Sequence, residues 1–363
     1  MNLCPVLGAH DGRIIRTRPS VDGKLTPLET IVYTGNPSLA DREHPCGSHE
    51  SEAICGRPLG MAFNDEGELI VADCYIGLIS VNVTAKTKHL LLDRVDDVRV
   101  YFANSVVVGP KSGRIYLTDS SQRFRRRDFL YEVIESSTTG RVIVYDPKTK
   151  ESKVLADEIA FSNGILVDPT ESFLLVNELN RAQIVRFDLT KFDFDSGAVI
   201  HWNQRRDVDD HAASVFIDNL PGFPDNLAWA SKDNGALTLW VGLGSKRTTP
   251  FSFIDSVSSY PKVRNFLVSL LPKTAFLKFV AKIGLVARIR VHSGATLFNP
   301  KGYTMGTIME TLQDPTGGIH LITGAYEENG YLYLGSISDE INFLPRIPWT
   351  QKNATDESWR FKE

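Results

Sequence analysis

The sequence lacks the features that define several protein classes. It contains no run near the roughly 20 apolar residues that a membrane-spanning helix needs. The stretch from Met1 to Gly8 has no basic residue followed by an apolar core, so we expect neither a signal peptide nor an anchor in this chain. The Gly-x-Ser-x-Gly, P-loop, His-Glu-x-x-His and Cys-x-x-Cys motifs are absent. Nucleophile-elbow hydrolysis, nucleotide binding and structural zinc therefore lack their usual signatures.

An excess of either charge is also missing. The 363 residues include 40 Lys and Arg against 44 Asp and Glu, which gives a net charge of -4. No global positive field exists to hold nucleic acid, so we expect no nucleic-acid partner. With 42% hydrophobic and 23% charged residues, the composition is that of a globular protein and not of a disordered one. The length allows two or three domains, or one longer fold built from β repeats.

Cysteine is scarce, and its placement bears on the redox compartment. Of four cysteines, Cys46 and Cys55 flank a short polar loop that suits a local disulfide. Cys4 and Cys74 are expected to stay unpaired. Asn82 and Asn353 each begin a glycosylation sequon. Together these features favour an oxidising compartment; the alternative is two accidental sequons and four reduced thiols.

Short β-rich runs separated by turn residues fill the first two thirds of the chain. A sequence repeat occurs at 56–63, 102–108, 161–167 and 223–229, with a fifth copy at 319–335. It consists of a turn, an apolar run, a polar turn and a second apolar run. Residues 10–16 have the pattern of the tail of a further blade whose beginning is missing. We therefore predict an all-β fold, a six-bladed β-propeller with an incomplete first blade over residues 1–350, and a C-terminal tail at 351–363.

One segment, at about 250–290, breaks the β pattern. Its apolar residues follow helical spacing, and no acidic residue occurs between Ser256 and Met309. We predict a basic, amphipathic helical insertion that meets an anionic membrane surface or forms a lid over a hydrophobic pocket. The alternative is a helix pair packed on the propeller with a solvated basic face. The residues concerned are Lys262, Arg264, Phe266, Leu270, Lys273, Phe276, Lys278, Phe279 and Lys282.

The repeats place an amide or a carboxylate at one recurring point, just before the innermost strand of the blade. These residues are Asn104, Asn163, and Asp225 with Asn226. In a propeller such points converge on the central channel, and side-chain oxygens are the ligands that Ca²⁺ prefers. The alternative is that each residue only satisfies backbone groups in a turn. Three copies in register favour a calcium site, although it would contain a single carboxylate.

The motifs in order resemble the strictosidine synthase-like family, and the match runs from about Asp11 to Arg346. The resemblance implies a six-bladed propeller of the paraoxonase kind, with calcium in the channel, on Asn104, Asn163, Asp225 and Asn226, and hydrolysis of small apolar esters or lactones. It also implies a membrane-associated glycoprotein on the lumenal or extracellular face in the full-length form. The motifs are Cys55-Gly-Arg-Pro-Leu-Gly, Val71-Ala-Asp-Cys-Tyr, Thr118-Asp-Ser-Ser, Phe161-Ser-Asn-Gly and Pro221-Gly-Phe-Pro-Asp-Asn.

Departures from the family pattern bear on the chemistry. A further glutamate ligand and a membrane anchor are expected upstream of Asp11 and do not occur in this sequence. Thr323 stands where strictosidine synthases have their glutamate base, so alkaloid synthesis is not expected. Asp225 is then the preferred general base, ahead of Glu327 and Glu328. The rival hypothesis is a weakly active or inactive propeller that binds a membrane surface or acts as a scaffold.

A basic run at 123–127 has two interpretations. It either binds an anionic ligand or forms a solvated loop that pairs with Asp128 and Glu132.

Overall fold

A computed structural model describes residues 6–17, 29–205, 212–233, 236–247, 252–270, 272, 284–292, 305–314, 321–336 and 345–349. Strands dominate, and they form six small, mainly antiparallel sheets with few helices. The fold class is a six-bladed β-propeller, as predicted. The chain divides into two compact units, Met1–Leu174 with Phe187–Ala213, and Leu175–Arg186 with Ser214–Glu363.

The first unit contains the first three sheets. The first sheet has β1 (Val6–Gly8), β2 (Arg13–Arg16) and β3 (Glu29–Tyr33). The second has β4 (Pro58–Phe63), β5 (Leu69–Asp73), β6 (Gly77–Asn82) and β7 (Thr87–Leu92). A short ribbon, β8 (Arg94–Val95) and β9 (Val98–Arg99), follows. The third has β10 (Ala103–Val108), β11 (Ile115–Asp119), β12 (Gly140–Tyr145), β13 (Ser152–Ile159) and, in parallel with β13, β17 (Ile200–His201).

The fourth sheet has the order β14 (Ser162–Val167), β15 (Phe173–Glu178), β16 (Gln183–Asp188) and β18 (Ala213–Ile217). The second unit contains the last two sheets. The fifth is formed by β19 (Gly222–Asp233), β20 (Ala236–Lys246), β21 (Gly284–His292) and β22 (Met305–Asp314). The sixth is formed by β23 (Ile322–Glu328), β24 (Tyr331–Ser336) and β25 (Arg346–Pro348).

The α-helices within the described residues are short. They are α1 (Glu52–Cys55), α2 (Phe129–Glu135), α3 (Trp202–Arg205), α4 (Phe253–Ser258) and α5 (Pro261–Leu270). Single 3-10 turns occur at Pro37–Leu39, Arg126–Asp128 and Leu179–Arg181.

Apolar strands buried on both faces build the core, and β5 shows how. Successive side chains of a strand point to opposite faces. Val71 packs in a cluster with Ile14 of the first sheet, whereas its neighbour Ile70 packs with Leu117 and Ile143 of the third sheet. A continuous apolar run is therefore required, because neither face of β5 meets water. In the second unit, Trp240, Leu332 and Trp349 centre a comparable cluster.

The helical insertion is confirmed in part and needs one correction. Helices α4 and α5 lie between β20 and β21, within the predicted span. The helical assignment is wrong for residues 284–290, which belong to β21 and pair with β20 on one side and β22 on the other. Pairing on both edges satisfies the backbone and buries Leu285, Val286 and Ile289. The predicted segment residues Lys273, Phe276, Lys278, Phe279 and Lys282 lie outside the described residues.

The incomplete first blade agrees with the three described strands of the first sheet. The sixth sheet also has three described strands, which the sequence pattern does not predict.

Candidate functional site

The recurring asparagines lie at the start of edge strands. Asn104 is the second residue of β10, and Asn163 is the second residue of β14. Both therefore lie within these strands, whereas the sequence predicted positions just before them. The pairing of β10 with β11 shifts register between Ala103 and Val106, which leaves Asn104 in a β-bulge. Asn104 and Asn163 are both buried. A bulge re-aims a side chain relative to a regular strand, so this position can direct the amide away from the sheet faces.

The same irregularity occurs in the first strands of three other sheets. The register shifts between Pro58 and Met61 in β4, between Pro224 and Leu227 in β19, and between Ile322 and Gly324 in β23. Asp225 and Asn226 therefore lie in the bulge of β19, and Thr323 lies in that of β23. The sequence repeat therefore corresponds to a β-bulge that recurs in β4, β10, β19 and β23 and places one or two side chains at an equivalent position in each of them.

Hydroxyl groups join the strands that contain Asn104 and Asn163. The Asn104 amide donates from Nδ2 to Ser120 Oγ (2.8 Å), and Ser120 Oγ in turn donates to the Ser162 carbonyl oxygen (2.5 Å). Thr118 Oγ1 donates to the Asn163 carbonyl oxygen (2.7 Å). Residues at the end of β11 therefore hold Asn104 by its side-chain amide and Asn163 by its backbone carbonyl.

One side-chain oxygen of these two asparagines has no hydrogen-bond partner among the described residues. Asn163 Oδ1 is buried, and no hydrogen bond reaches it within the part of the chain that the structure describes. A buried amide oxygen without a donor costs about 1–3 kcal/mol. A cation would offset that cost, and an amide oxygen is a normal ligand of Ca²⁺. The residues present therefore fit a hard cation on this observation.

In the second unit, Asp225 and Asn226 form a small polar group with Asn177 of β15. Asn226 Nδ2 donates to Asp225 Oδ1 (3.1 Å), and Asn177 Nδ2 donates to the Asp225 carbonyl oxygen (2.5 Å). Asn177 Oδ1 is a second buried amide oxygen without a hydrogen bond among the described residues. Sequence reasoning did not select Asn177. The available signal was an amide directly after the apolar run at 173–176.

Two other buried carboxylates accept hydrogen bonds that hold neighbouring strands in place. Asp73 ends β5 and accepts hydrogen bonds from the backbone of Arg57 (2.7 Å) and Tyr75 (2.9 Å). Asp119 ends β11 and accepts from the backbone of Phe102 (2.7 Å) and from Arg141 Nε (3.0 Å). Burial raises the pKa of both carboxyl groups. Each holds the beginning of its neighbouring edge strand, so we assign them to the framework and not to the metal set.

The second choices for a general base are not supported. Glu327 accepts from Trp240 Nε1 (2.6 Å) and the Ser231 amide (2.9 Å), so its carboxylate fastens β23 to β19 and β20. It lies four residues from Thr323 along the same strand, about 13 Å away. Glu328 lies beside the Tyr326 hydroxyl (3.4 Å). Of the three carboxylates that the sequence proposed as a general base, Asp225 is the one that lies in a bulge.

The basic residues of the loop after β11 form ion pairs, and Arg126 Nη1 reaches Glu52 Oε1 of α1 (2.7 Å). Arg127 approaches Asp128 (3.5 Å), as expected for a solvated loop, and Arg123 pairs with Glu135 (2.5 Å). Glu132, which was expected in that solvated loop, is instead fully buried in α2. It accepts from Ser121 (2.5 Å) and Ser137 (2.7 and 2.9 Å), and burial raises its pKa to about 7.

The Cys46–Cys55 disulfide is confirmed, with Cα atoms 5.7 Å apart. Cys74 is free and buried, and burial raises the pKa of its thiol. Asn82 lies at the hairpin turn after β6, where its Oδ1 accepts from Ala85 N (2.7 Å), and its glycosylation stays a prediction. Cys4 and Asn353 lie outside the described residues.

Helix α5 exposes apolar side chains. Phe266 is 61% exposed and Leu270 64%, and Tyr260 just before the helix is 61% exposed. No residue of α5 is buried. Lys262 is exposed on the same helix. The basic and apolar character expected from the sequence is therefore present on a solvent-facing surface.

Comparison with known proteins identifies the family. Residues 104–191 match a family model described as Strictosidine synthase. The adipocyte plasma membrane-associated protein of Bos taurus is 34% identical to the chain over 334 residues, which is 91% of this chain and 70% of the relative. The chain belongs to the strictosidine synthase-like family. Another member, STRICTOSIDINE SYNTHASE-LIKE 1 of Arabidopsis thaliana, is 30% identical over 94% of this chain and 76% of its own length.

The propeller of this family member also resembles a solved structure of a gluconolactonase from Xanthomonas campestris. The TM-score is 0.50 at 14% identity, over 91% of this chain and 78% of that chain. Such a likeness establishes a shared fold.

Within the described ranges, no helix combines the length and the apolar character that crossing a bilayer requires.

Proposed function

We propose that this strictosidine synthase-like protein is a calcium-dependent hydrolase of small apolar esters or lactones and not a strictosidine synthase. The observation that carries the proposal is the buried Oδ1 of Asn163, which has no hydrogen bond and lies where the edge-strand repeat recurs. The sequence repeat adds Asn104, Asp225 and Asn226 to the proposed donor set, because each stands at the recurring position of its own strand.

The proposed donor set has a definite chemical character. Asn104, Asn163 and Asn226 supply neutral amide oxygens, and Asp225 supplies one carboxylate. All are hard oxygen donors, which suit Ca²⁺ better than softer transition ions. A set with one formal charge binds weakly, because calcium affinity rises with the number of carboxylate ligands. We therefore expect an affinity well below that of calcium buffers.

The chain's own residues then define the reaction. A bound calcium ion would supply electrostatic stabilisation of the oxyanion that forms at an ester carbonyl. The Asp225 carboxylate accepts a proton from the attacking water and returns it to the departing alkoxide. Asn226 Nδ2 and Asn177 Nδ2 orient Asp225 through its side chain and its carbonyl oxygen. Thr323 cannot act as a base at neutral pH, which argues against alkaloid condensation.

The test is hydrolysis of phenyl acetate and a panel of lactones by the purified chain, with calcium or with chelator. We expect turnover that chelator abolishes. Asp225→Asn keeps an oxygen but loses the base, so its turnover should fall about 10²–10⁴-fold.

The matched control is Asn64→Ala, because Asn64 Oδ1 accepts only the Glu68 amide in a hairpin turn within the described structure. Its turnover should equal that of the wild type. Equal turnover in chelator, or full activity in Asp225→Asn, would overturn the proposal.

A second candidate function is supported by α5. We propose that α4 and α5 rest on an anionic membrane surface, because exposed Phe266 and Leu270 lie near basic residues in a segment without acidic residues after Asp255. The Cys46–Cys55 disulfide favours a lumenal or extracellular location for this surface.

Vesicle binding separates this function from hydrolysis. Phe266→Ser/Leu270→Ser should weaken binding to phosphatidylserine vesicles at least tenfold and leave phenyl acetate turnover unchanged. Leu39→Ser is the control, because Leu39 is equally exposed (68%) on a distant stretch of sequence. Unchanged vesicle binding in the double variant would refute the membrane role.

A further inference from the structure

A second cluster of ligand-type side chains lies on the last strands of the third sheet, apart from the edge-strand bulges. Asp157 and Glu158 of β13 and His201 of β17 place one ligand atom each within 4.8 Å of one another. His201 Nδ1 is 2.8 Å from Asp157 Oδ1. We propose that these three residues bind a divalent transition-metal ion of the Zn²⁺ class.

The backbone brings the three residues together by two irregular features. The pairing of β12 with β13 shifts so that Asp157 and Glu158 lie opposite a single residue, which is a β-bulge. Strand β17 then adds to β13 in parallel, with His201 beside Asp157. The neighbouring Trp202 is fully buried and packs edge-on against Phe187 (centroids 6.1 Å apart), which anchors the segment.

Glu158 provides the observation that points to a ligand. Its Oε2 is buried and has no hydrogen-bond partner in the described chain, whereas its Oε1 accepts from Gln204 Nε2 (2.8 Å). A buried carboxylate oxygen without a donor is costly. Gln204 fixes the orientation of the carboxylate in the way that outer-shell hydrogen bonds orient metal ligands. One oxygen is thus held by the protein, and the other is left for a cation.

The donor types select the metal class. One imidazole nitrogen with two carboxylate oxygens is a normal set for Zn²⁺, with bond lengths of about 2.0–2.2 Å. Ca²⁺ and Mg²⁺ prefer sites made only of oxygen, so they are poorer occupants here. The 2.8 Å contact between His201 Nδ1 and Asp157 Oδ1 is a hydrogen bond, so a bound ion would replace the proton between the two atoms and separate them to about 3.3 Å. The ion would fasten β17, and with it α3, to the outer edge of the third sheet.

The test is calorimetric titration of Zn²⁺ into the full chain, first saturated with calcium so that oxygen-only sites are filled. We expect His201→Ala and Glu158→Gln each to weaken binding at least tenfold. Zn²⁺ should also raise the thermal midpoint of the wild type and leave that of both variants unchanged.

The control is His44→Ala, because His44 faces a single carboxylate, Asp41 (3.4 Å), in the described structure. Its Zn²⁺ affinity should equal that of the wild type. Co²⁺ substitution gives a second readout, since loss of the imidazole should change the visible absorption of the bound ion. Unchanged Zn²⁺ affinity in His201→Ala, or no Zn²⁺ binding by the wild type, would overturn the assignment and leave His201 and Asp157 as an ion pair.

Discussion

At the scale of single residues, the informative groups are polar atoms that the fold buries without a partner. Asn163 Oδ1 and Asn177 Oδ1 are two such atoms, whereas the buried Asp119 is fully paired. Buried polar atoms in folded proteins are nearly always hydrogen-bonded, so exceptions need a physical reason. We assign that reason to a cation at Asn163.

Substituting Asn163 separates calcium binding from folding. In chelator, Asn163→Ala should not destabilise the fold, because the lost oxygen made no hydrogen bond and its unpaired burial costs the wild type about 1–3 kcal/mol. With calcium at 100 times the dissociation constant, the wild type should gain about 2.7 kcal/mol and the variant much less. Chemical denaturation with and without calcium measures both quantities. An equal calcium effect in the two proteins would remove Asn163 from the site.

Glu132 predicts a pH dependence of stability. Its pKa is raised from 4.5 to about 7, so the folded protein keeps a proton that the unfolded chain releases. Stability from this group is therefore fully present below about pH 4.5 and is lost as the pH rises through 7, by about 3 kcal/mol in all. Glu132→Gln mimics the protonated acid and should remove this loss.

Denaturation at pH 5, 6, 7 and 8 compares Glu132→Gln with the wild type. Glu151→Gln is the control, because Glu151 is exposed and lies outside α2. A difference between Glu132→Gln and the wild type that does not vary with pH would contradict the assignment.

At the residue scale, the sequence supplied candidates only where a repeat gave the signal, and their metal-binding role stays a prediction. Asn104, Asn163, Asp225 and Asn226 were selected because copies of the sequence repeat placed them in register. Asn177 was not selected, since it lies on a second strand and reaches Asp225 only through the folded chain.

At the scale of elements, the edge-strand bulges bring neighbouring backbones very close. A methyl group at Gly60, in the bulge of β4, would lie 2.5 Å from Ser105 Cα and 2.8 Å from the Asn104 carbonyl oxygen of β10. Backbone atoms cannot move aside as a flexible side chain can. The glycine is therefore required by the packing of β4 against β10.

Gly60→Ala should destabilise the protein by about 1–3 kcal/mol, the usual cost of overpacking. Gly335→Ala is the matched control, because its nearest neighbouring atom would be 3.7 Å away. Thermal and chemical denaturation of the two variants measure the difference. Equal stability of the two would contradict the close approach.

The wrong helical assignment of β21 shows where hydrophobic periodicity fails to predict the type of a secondary-structure element. Residues 284–290 continue the mixture of apolar and basic residues of the preceding segment. The predicted helical insertion was therefore extended through them. Pairing with β20 and β22 decides the structure instead, and the partner residues lie 17 to 52 positions away in the sequence. Bulge positions were unpredictable for the same reason, because register is a property of two strands together.

At the scale of the whole molecule, the sequence was sufficient for the fold class and the family. Repeats spread over most of the chain predicted six blades, and the motifs indicated the strictosidine synthase-like family. The site on β13 and β17 was not predicted, because His201 is 43 residues from Glu158 and carries no motif.

The most direct test of calcium dependence is one calcium titration of the wild-type chain, followed by lactone turnover and by thermal midpoint in parallel. We expect both to rise together, with half-maximal effects at the same free calcium concentration, and turnover to be absent in chelator. Turnover that persists in chelator, or that is saturated before calcium stabilises the fold, would contradict a calcium-dependent hydrolase.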